Sequence, residues 1–414
     1  MIDSCSIESN GLLSIDQALE KIKNSITPPY GAERLVLKDA IGRVLDQTVY
    51  SAINIPSERN SAMDGYAYSS DDIKANQSCT LSLAGTSWAG KPFTGQCLKN
   101  QCIRIFTGAV MPDNTDSVIM QEHIKIQGDK ITFPADTVTK QNVRHIACDI
   151  AKGEKLISAP KKLSAIDIGL LASAGIYDVA VKPKLNIAFL STGDELCSIS
   201  QPLNSGQIYD SNRYTLSGLL NNVSFVVDDL GVVPDDKAIL KETLVSAAQS
   251  HDVIITTGGA SVGEADYIKE ILDECGHVNF WKIAIKPGKP LAFGKINHCY
   301  FFGLPGNPVS VIATFHKIVQ PALDQLTGIP ATKPLSLIAT CTSHLKKQKG
   351  RQEYQRGILS QNKSGEFYVE SAGEQGSNIM SAMSRANCYI VLPIDSEGVS
   401  IGEHVSVEPF NAFI

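Results

Sequence analysis

The pattern that most restricts the fold lies between residues 184 and about 330, where short apolar runs alternate with glycine-containing loops and helical patterns. Residues 186–190, 252–257 and 300–302 are mostly apolar, and each run enters a loop that contains glycine. Continuous apolar strands that alternate with helices are typical of a parallel sheet covered on both faces. In such a sheet the binding loops gather at one edge, outside the carboxyl ends of the strands. We therefore expect a doubly wound α/β domain here, with a site at that edge.

The segments before this domain have a different texture. Residues 14–24 begin with a candidate capping residue, Ser14, and have apolar residues at helical spacing, which predicts an amphipathic helix. From about 45 to 150, short β-prone pieces are divided by Gly, Pro and Asn, which favours a small β domain. A second helical pattern at 164–174 ends at Gly175. We expect it to pack with the first helix, which makes the β domain an insertion.

The chain after residue 334 returns to short strands separated by charged residues and glycine. Strand patterns at 335–340, 367–370, 388–392 and 404–407 favour a small β-barrel or β-sandwich. The sequence therefore predicts a multidomain α/β protein. Its parts are an elongated α/β N-terminal domain (1–54 and 150–183), an inserted, mainly β domain (55–149), a doubly wound, mostly parallel sheet domain (184–333) and a C-terminal β-barrel domain (334–414).

Composition narrows the function classes. The 414 residues include 37 Lys and Arg against 43 Asp and Glu, and the formal charge of −6 without a basic run argues against a nucleic-acid partner. The ten cysteines are dispersed without a C-x-x-C pair, which disfavours zinc and disulfides and favours reduced thiols. No leader pattern and no apolar run of about 18 residues occurs, so we expect a cytoplasmic protein without a membrane partner.

The loop 257–263 follows an apolar strand and precedes a helical pattern. Backbone N–H groups and a helix N-terminus in this arrangement hold phosphate, so Gly258, Gly259 and Ser261 are candidate phosphate ligands. The loop is not a nucleotide fingerprint, because Glu264 stands where the Walker lysine belongs and G-x-G-x-x-G is absent. The alternative is that these glycines serve only the turn from strand to helix.

Carboxylates accompany the glycine loops. Asp194 and Glu195 follow Gly193. Asp235 stands at the start of a helical pattern, and Asp266 follows the phosphate loop. Acids beside a phosphate group repel it unless a hard divalent cation such as Mg²⁺ bridges them through oxygen, so the set indicates phosphoryl chemistry with metal. For Asp235 and Asp194 the alternative is helix capping, which explains Glu195 and Asp266 less well.

Two lysines precede a Pro-Gly-x-Pro turn. Alternation by two along one strand would put Lys282 and Lys286 on the same face. Two neighbouring ammonium groups are unfavourable without an anion between them, which indicates an anion site. The alternative is a solvated lysine face.

The run Asn60 to Ala67 places a carboxylate, Asp64, before Gly65 among small residues. Asp-Gly favours a tight turn, because Asp bonds its own backbone and Gly accepts positive φ. A surface turn explains the dipeptide but not the surrounding run. The sheet domain supplies candidate phosphate, metal and lysine ligands, but these line only part of a binding cleft. The run 60–67 is the best candidate for the missing side of the cleft.

Taken in this order, the motifs resemble those of the MoeA family, the molybdopterin molybdenumtransferases of molybdenum-cofactor synthesis, whose homologous domain also occurs in gephyrin. Each motif is weak alone, whereas the ordered series is highly specific. The resemblance runs through nearly the whole chain and implies that the sheet domain is of the molybdopterin-binding type. Its motifs are residues 60–67, 104–109, 191–196, 207–212, 257–267, 286–290, 303–308 and 376–377.

The resemblance implies an enzyme that binds adenylylated molybdopterin, cleaves its pyrophosphate link with Mg²⁺, releases AMP and places molybdate on the dithiolene sulfurs. On this interpretation Glu195 and Asp266 bind metal or orient water, and Lys282 and Lys286 face the anionic substrate or molybdate. The implied catalytic residues are Asp64, Glu195, Asp235 and Asp266. The implied substrate-binding residues are Thr107, Asp149, Thr192, Gly193, Gly258, Gly259, Ser261, Lys282, Lys286, Pro305, Pro308 and Ser377.

The resemblance also implies a second subunit. Family members are elongated homodimers whose cleft combines domains of both chains, so Asp64, Thr107 and Asp149 would approach the sheet domain from the partner. Ser377 would line the same cleft. The adenylyltransferase and other molybdenum-cofactor proteins are further expected partners.

The chain departs from the family pattern at two places. Residues 144–149 read Arg-His-Ile-Ala-Cys-Asp and lack the expected Gly and further basic residues, which weakens an anion role for this loop and, to a lesser degree, for Asp149. Residues 57–59 are less apolar than in the family, a difference that we assign to the rim of the site.

Two other functions are alternatives. An adenylyltransferase that makes adenylylated molybdopterin shares the glycine-loop domain but generally lacks the flanking domains. A non-catalytic scaffold like gephyrin would have a second, fused glycine-loop domain and a long linker, which this chain lacks. The sequence leaves open which carboxylate binds metal, where molybdate binds and whether tungstate is accepted.

Overall fold

The computed structural model describes residues 12–29, 31–258, 267–330 and 332–410. This part of the chain divides into two compact units. The first unit takes in the described residues of Met1–Glu33, Gly42–Val44 and Val181–Ile414, and the second unit comprises Arg34–Ile41 and Leu45–Ala180. The predictions for Gly259, Ser261 and Asp266 lie outside the described residues.

The first two helices begin where the sequence supplies capping side chains. Ser14 and Ser164 each close a capping box, and the helices that follow confirm the two predicted before the sheet domain. The apolar helix that begins at Pro308 is interrupted by a π-helical turn at Phe315–Val319. The helices are α1 (Ile15–Ser25), α2 (Ala165–Ser173), α3 (Ser211–Leu219), α4 (Lys237–Ala247), α5 (Tyr267–Cys275), α6 (Pro308–Thr314), α7 (Gln320–Leu326) and α8 (Met380–Arg385).

The strands before residue 184 are short, as their Gly, Pro and Asn content predicts. They are β1 (Glu33–Val36), β2 (Val44–Leu45), β3 (Val49–Tyr50), β4 (Asn60–Ser61), β5 (Gly65–Tyr68), β6 (Cys79–Ser87), β7 (Gln101–Ile105), β8 (Ser117–Met120), β9 (Lys125–Gln127), β10 (Lys130–Phe133), β11 (Val143–Arg144), β12 (Lys155–Ile157), β13 (Lys161–Lys162) and β14 (Asp178–Val181).

The second unit is built around a six-stranded sheet of order β8-β5-β7-β6-β10-β9. Successive residues of β5 enter different cores, because side chains alternate across a strand. Tyr66 and Tyr68 pack with Leu81 and Phe133, whereas Ala67 packs with another buried cluster. Both faces of the sheet are therefore covered around β5, the strand that follows Asp64.

The strands after residue 184 form the sheet domain and the C-terminal domain. They are β15 (Leu185–Thr192), β16 (Leu196–Cys197), β17 (Ile208–Tyr209), β18 (Phe225–Val233), β19 (Val253–Thr257), β20 (Gly276–Lys282), β21 (Ile285–Lys286), β22 (Pro290–Ile296), β23 (Cys299–Leu304), β24 (Leu337–Cys341), β25 (Leu345–Lys346), β26 (Gln352–Gln361), β27 (Phe367–Ser371), β28 (Cys388–Leu392), β29 (Gly398–Val399) and β30 (His404–Pro409).

The central sheet of the first unit has the order β18-β15-β19-β23-β22-β20. Strands β18, β15, β19 and β23 are parallel, and β22 is antiparallel to both of its neighbours. Alternate residues of β15 enter two different buried clusters, Phe189 in one and Leu190 in the other. The predicted doubly wound, mostly parallel sheet is confirmed.

Helix α1 has a different packing partner from the one expected. Its buried residues Ile15, Ala18 and Ile22 belong to the same core cluster as the sheet domain and α7. Helix α2, with which we expected α1 to pair, lies in the second unit. The apolar stripe of α1 was predicted correctly, but periodicity alone does not identify the surface that covers it.

The C-terminal part of the first unit contains a closed barrel of five strands. The order β26-β27-β24-β30-β28 returns to β26 through a direct pairing of β26 with β28. The predicted β-barrel is therefore confirmed. Strand β26, the longest of the five, was not predicted, and strand β21 pairs with it in parallel.

Candidate active site

The register of the central sheet aligns the ends of several strands at one edge. Thr192 pairs with Val233, and the next strand over pairs Thr257 with Leu304. Because β22 runs antiparallel to its neighbours, β20 runs in the parallel direction again, and its last residue, Lys282, ends at this same edge. Lys282 is four strand spacings from Thr192, or about 19 Å along the sheet. The edge is therefore elongated.

Asp235 is held by Thr192 and Asp194 and does not cap a helix. Its Oδ1 accepts a hydrogen bond from the hydroxyl of Thr192, and its backbone N–H donates to Asp194 Oδ1 at 3.3 Å. The cap of α4 is the next residue, Asp236, whose carboxylate accepts from Ala238 N and Ile239 N. The capping alternative for Asp235 and Asp194 is therefore wrong.

Glu195 is exposed and lies directly over the glycine that precedes Asp194. A Cβ atom built on Gly193 would be 2.6 Å from Glu195 Oε2. The side chain is open to solvent and ligands. Its position beside Thr192 and Asp194 gathers several carboxylate and hydroxyl oxygens at the end of β15.

Gly258 follows β19 and lies against Thr192, the last residue of the neighbouring strand β15. It has a φ of +84°, and a Cβ there would be only 2.2 Å from the carbonyl oxygen of Thr192. No other residue fits this approach without moving the backbone. Gly258 is therefore needed for the close approach to Thr192 at the end of β15. This is a structural role, as in the alternative that the glycines serve the turn from strand to helix.

The loop after β23 meets the same place. A Cβ on Gly306 would lie 3.9 Å from Gly258 Cα, and the Gly306 carbonyl accepts a hydrogen bond from Asn212 Nδ2 at 2.7 Å. The backbone N–H of Val309 donates to the carbonyl of Ser377 at 3.1 Å. The loop that contains Pro305 and Pro308 therefore brings the predicted Ser377 to the start of α6.

Lys282 and Lys286 do not lie on one strand. Lys282 ends β20 of the central sheet, whereas Lys286 belongs to β21, which pairs with the barrel strand β26. Their predicted placement by alternation is wrong, because the chain leaves the first sheet after Lys282. Lys286 also has a partner that was not predicted: its Nζ lies 3.0 Å from Oε1 of Glu353.

Strand β26 supplies two charged residues that the sequence analysis missed, Glu353 and Arg356. Arg356 is 1% exposed, and its guanidinium donates to the carbonyls of Glu374 and Gly376. Burial lowers the pKa of Arg356. Its contacts fix the loop that leads to Ser377. The charged residues in Gln-Glu-Tyr-Gln-Arg (352–356) were the available signal, since charges inside a β pattern are buried only with partners.

In the second unit, the structure brings Asp64 and Thr107 together. Asp64 Oδ1 accepts hydrogen bonds from the backbone N–H of Thr107 at 2.7 Å and from its hydroxyl at 2.8 Å. The backbone bond is the largest cause that lowers the pKa of Asp64, with the Thr107 hydroxyl next and the charge of Arg104 contributing. Asp64 is thus a partly exposed, ionised carboxylate in a fixed position.

Gly65 is required for a reason other than the expected turn. It begins strand β5, and a Cβ there would be 1.8 Å from the carbonyl oxygen of Ile119 in β8. The glycine permits close approach of two strands and does not provide a positive φ. An open cavity of about 350 Å³ adjoins this strand, lined by Met63, Asp64, Met120, Gln121, Glu122 and His123.

The loop at 144–149, whose sequence differs from the family pattern, also lies in the second unit. Ala147 has a φ of +60°, a left-handed conformation that glycine, which the resemblance leads us to expect in this loop, adopts without strain. Asp149 is exposed, and its backbone N–H donates to the carbonyl of Ile55. The loop thus keeps a glycine-type backbone without the glycine.

Three family models match successive parts of the chain. The MoeA N-terminal region (domain I and II) matches residues 13–175, a probable molybdopterin binding domain matches 188–325, and the MoeA C-terminal region (domain IV) matches 339–410. A molybdopterin molybdenumtransferase of Haemophilus influenzae is 45% identical over 402 residues, which cover 97% of this chain and 99% of that protein. The chain belongs to the MoeA family.

Other relatives agree with this assignment. The crystal structure of a MoeA protein from Pyrococcus horikoshii OT3 superposes with a TM-score of 0.83 at 29% identity and covers 96% of this chain and all of that one. Gephyrin of Dictyostelium discoideum is 32% identical over 87% of this chain and 57% of its own length. MoeA regions on both sides of the sheet domain distinguish the chain from the adenylyltransferase alternative.

The carboxylates of this MoeA protein have the donor chemistry that Mg²⁺ prefers. Asp194 and Glu195 offer oxygen ligands beside a glycine loop, and Mg²⁺ needs only one or two carboxylates when phosphate and water complete its shell. In the described ranges no three acidic, His or Cys side chains form a metal cluster. Among the described residues, Asp194 and Glu195 are the side chains whose oxygens would suit Mg²⁺.

Two further predictions concern the cysteines and membrane-spanning helices. The cysteines in the described part of the chain are free thiols, and burial raises the pKa of Cys102, Cys299 and Cys388 to about 12. Among the residues that the structure describes, no helix has the length and apolar character to span a membrane.

Proposed function

We propose that this MoeA-family protein inserts molybdate into adenylylated molybdopterin, with Mg²⁺-dependent hydrolysis of the pyrophosphate link and release of AMP. One observation carries the proposal: acidic oxygens and Gly258 occupy one end of an elongated sheet edge, and Lys282 ends at the other. Such an edge suits an extended substrate with a phosphate group and a second anion to accommodate.

The acidic end supports hydrolysis. Gly258 brings backbone close to Thr192, where a phosphate group would lie, and the Thr192 hydroxyl fixes the orientation of Asp235. Asp235 is placed to accept the proton of the attacking water. Glu195, together with Asp266, would hold Mg²⁺. When bound, the metal would neutralise charge that develops on the pyrophosphate oxygens.

The lysine end supports molybdate binding. Lys286 is 42% exposed, so its ammonium group can contact an incoming oxyanion while it stays near Glu353. Lys282 ends β20 of the central sheet, four residues before Lys286 in the chain. We assign molybdate to these two lysines, with Ser377 beside the loop of Pro305 and Pro308.

We further propose a homodimer in which Asp64 and Thr107 act on the substrate from the partner subunit. The fixed, ionised state of Asp64 supports a functional role, since a plain turn needs neither hydrogen bond from Thr107. Asp149 is assigned to the same wall. We expect the enzyme to work in the cytoplasm and to receive its substrate from an adenylyltransferase.

The proposal is tested with purified protein, adenylylated molybdopterin, Mg²⁺ and molybdate. AMP should be released, and a chelator should stop its release. Glu195→Ala should lower the rate at least about tenfold and raise the Mg²⁺ concentration needed for half the maximal rate. Glu242→Ala, an exposed acid on α4, is the matched control and should behave as wild type.

Two outcomes would contradict the proposal. One is ATP-dependent formation of adenylylated molybdopterin in place of its hydrolysis, which would make the protein an adenylyltransferase. The other is wild-type turnover by Glu195→Ala, which would remove Glu195 from the metal site.

A further inference from the structure

Glu353 is a buried carboxylate in direct contact with a lysine of the proposed molybdate site. It is 3% exposed, and its Oε1 lies 3.0 Å from Lys286 Nζ. The amide of Gln355 donates to the same oxygen at 3.0 Å, and Gln355 is itself 2% exposed. The carboxylate therefore has a fixed position, whereas the lysine that it contacts is partly open to solvent.

The backbone around this pair is also fixed. Lys286 is directly opposite Glu353 in the parallel pairing of β21 with β26, and Gln352 N donates to the carbonyl of Ala284 at 2.9 Å. A second cation, Lys347, feels the charge of Glu353 but donates its own hydrogen bonds to three backbone carbonyls. Lys286 is thus the cation of this group that remains able to contact a ligand.

We propose that Glu353 is a resident counterion that positions Lys286 and sets how tightly the site holds molybdate. The inference rests on the proposed function, in which Lys286 contacts molybdate. An oxyanion on Lys286 would lie about 6 to 7 Å from the carboxylate, close enough for repulsion to matter at partly exposed positions.

This repulsion has a use in the reaction. Molybdate must leave the lysines when it is transferred, and strong binding of the free anion would not speed that step. Glu353 keeps Lys286 in place before molybdate arrives and weakens the hold on it afterwards. A lysine pair without this carboxylate would bind the anion more tightly.

The test compares two tetrahedral anions of different charge, molybdate (two negative charges) and perrhenate (one). Titration calorimetry on the full-length protein measures the dissociation constant of each anion alone. Glu353→Gln removes the charge and keeps the shape. It should tighten molybdate about tenfold and perrhenate about threefold, because the repulsion scales with the charge of the ligand. A general change in the shape of the site would alter both anions alike.

Three further variants complete the experiment. Glu353→Met, a second neutral side chain of similar length, should give the same two ratios if Glu353→Gln folds poorly. Glu353→Asp keeps the charge and should bind molybdate within about threefold of wild type. Glu408→Gln is the matched control, because Glu408 forms a buried ion pair with Lys317 outside the proposed site, and it should change neither constant.

Unchanged or weaker molybdate binding by the neutral variants would overturn the proposal, and so would an equal change for both anions. Failure of the proposed function is seen separately, as wild-type protein that releases no AMP from adenylylated molybdopterin.

Discussion

Thr192 and Asp235 are joined by a hydrogen bond from the threonine hydroxyl to the aspartate carboxylate. The two residues come from different strand ends, since Thr192 ends β15 and Asp235 follows β18. Because Asp236 caps α4, the neighbouring carboxylate of Asp235 has no role in the helix. Two adjacent aspartates therefore have separate partners, Thr192 for Asp235 and the N-terminus of α4 for Asp236.

This separation predicts opposite effects for two adjacent substitutions. Asp235→Asn should lower AMP release about 100-fold, as expected for loss of a general base, with little change in the free energy of unfolding. Asp236→Ala should lower the free energy of unfolding by about 1 kcal/mol through loss of the cap, with near wild-type AMP release. Steady-state kinetics and urea unfolding check both. The same phenotype in both variants would refute the division.

The left-handed backbone of Ala147 predicts a stabilising substitution. Ala147→Gly should raise the free energy of unfolding by about 0.5 to 1 kcal/mol, since relief of the left-handed strain outweighs the greater freedom of glycine in the unfolded chain. Ala151→Gly, in the same loop region but without positive φ, is the control and should destabilise. Thermal unfolding measures both. A loss of stability on Ala147→Gly would contradict the strain argument.

Much of the fold follows from the sequence, and particular residues explain where prediction failed. Unbroken apolar runs predicted β15, β19 and β23, because strands covered on both faces leave no room for polar side chains. Strand β26 was missed, since Glu353, Gln355 and Arg356 are buried there with partners distant in sequence. Local patterns do not show which charges find such partners.

The contacts within the candidate site were also predicted only in part, because they join residues that are distant in the sequence. Two hydrogen-bonded pairs join predicted site residues that are distant in the sequence: Asp64 with Thr107, and Thr192 with Asp235. The sequence predicted these residues but not their pairing. The lysine pair failed because alternation assumes one continuous strand, and the chain changes sheets between Lys282 and Lys286. Such a change of sheet leaves no local signal in the sequence.

Stability should decrease in mild acid because of a partly buried histidine, His316. Burial is the main cause that lowers the pKa of His316 to about 4, and the charge of Lys317 contributes. The unfolded chain binds this proton near pH 6.5 and the folded protein only near pH 4, so stability falls between these values by up to about 3 kcal/mol. Below pH 4 the histidine adds nothing further.

The histidine contribution is isolated by substitution. The free energy of unfolding of wild type minus that of His316→Gln, measured in urea from about pH 7.5 to about pH 3, should decline as the pH falls to about 4 and then level off. A constant difference across the range would show that His316 titrates alike in both states.

The central claim is that hydrolysis of the pyrophosphate link is coupled to molybdate insertion. The most direct measurement is a single turnover with adenylylated molybdopterin, Mg²⁺ and molybdate, in which AMP and dithiolene-bound molybdenum are quantified together. One AMP should be released per molybdenum inserted, and both products should be lost in Asp235→Asn. Full AMP release without inserted molybdenum, or insertion without AMP, would contradict it.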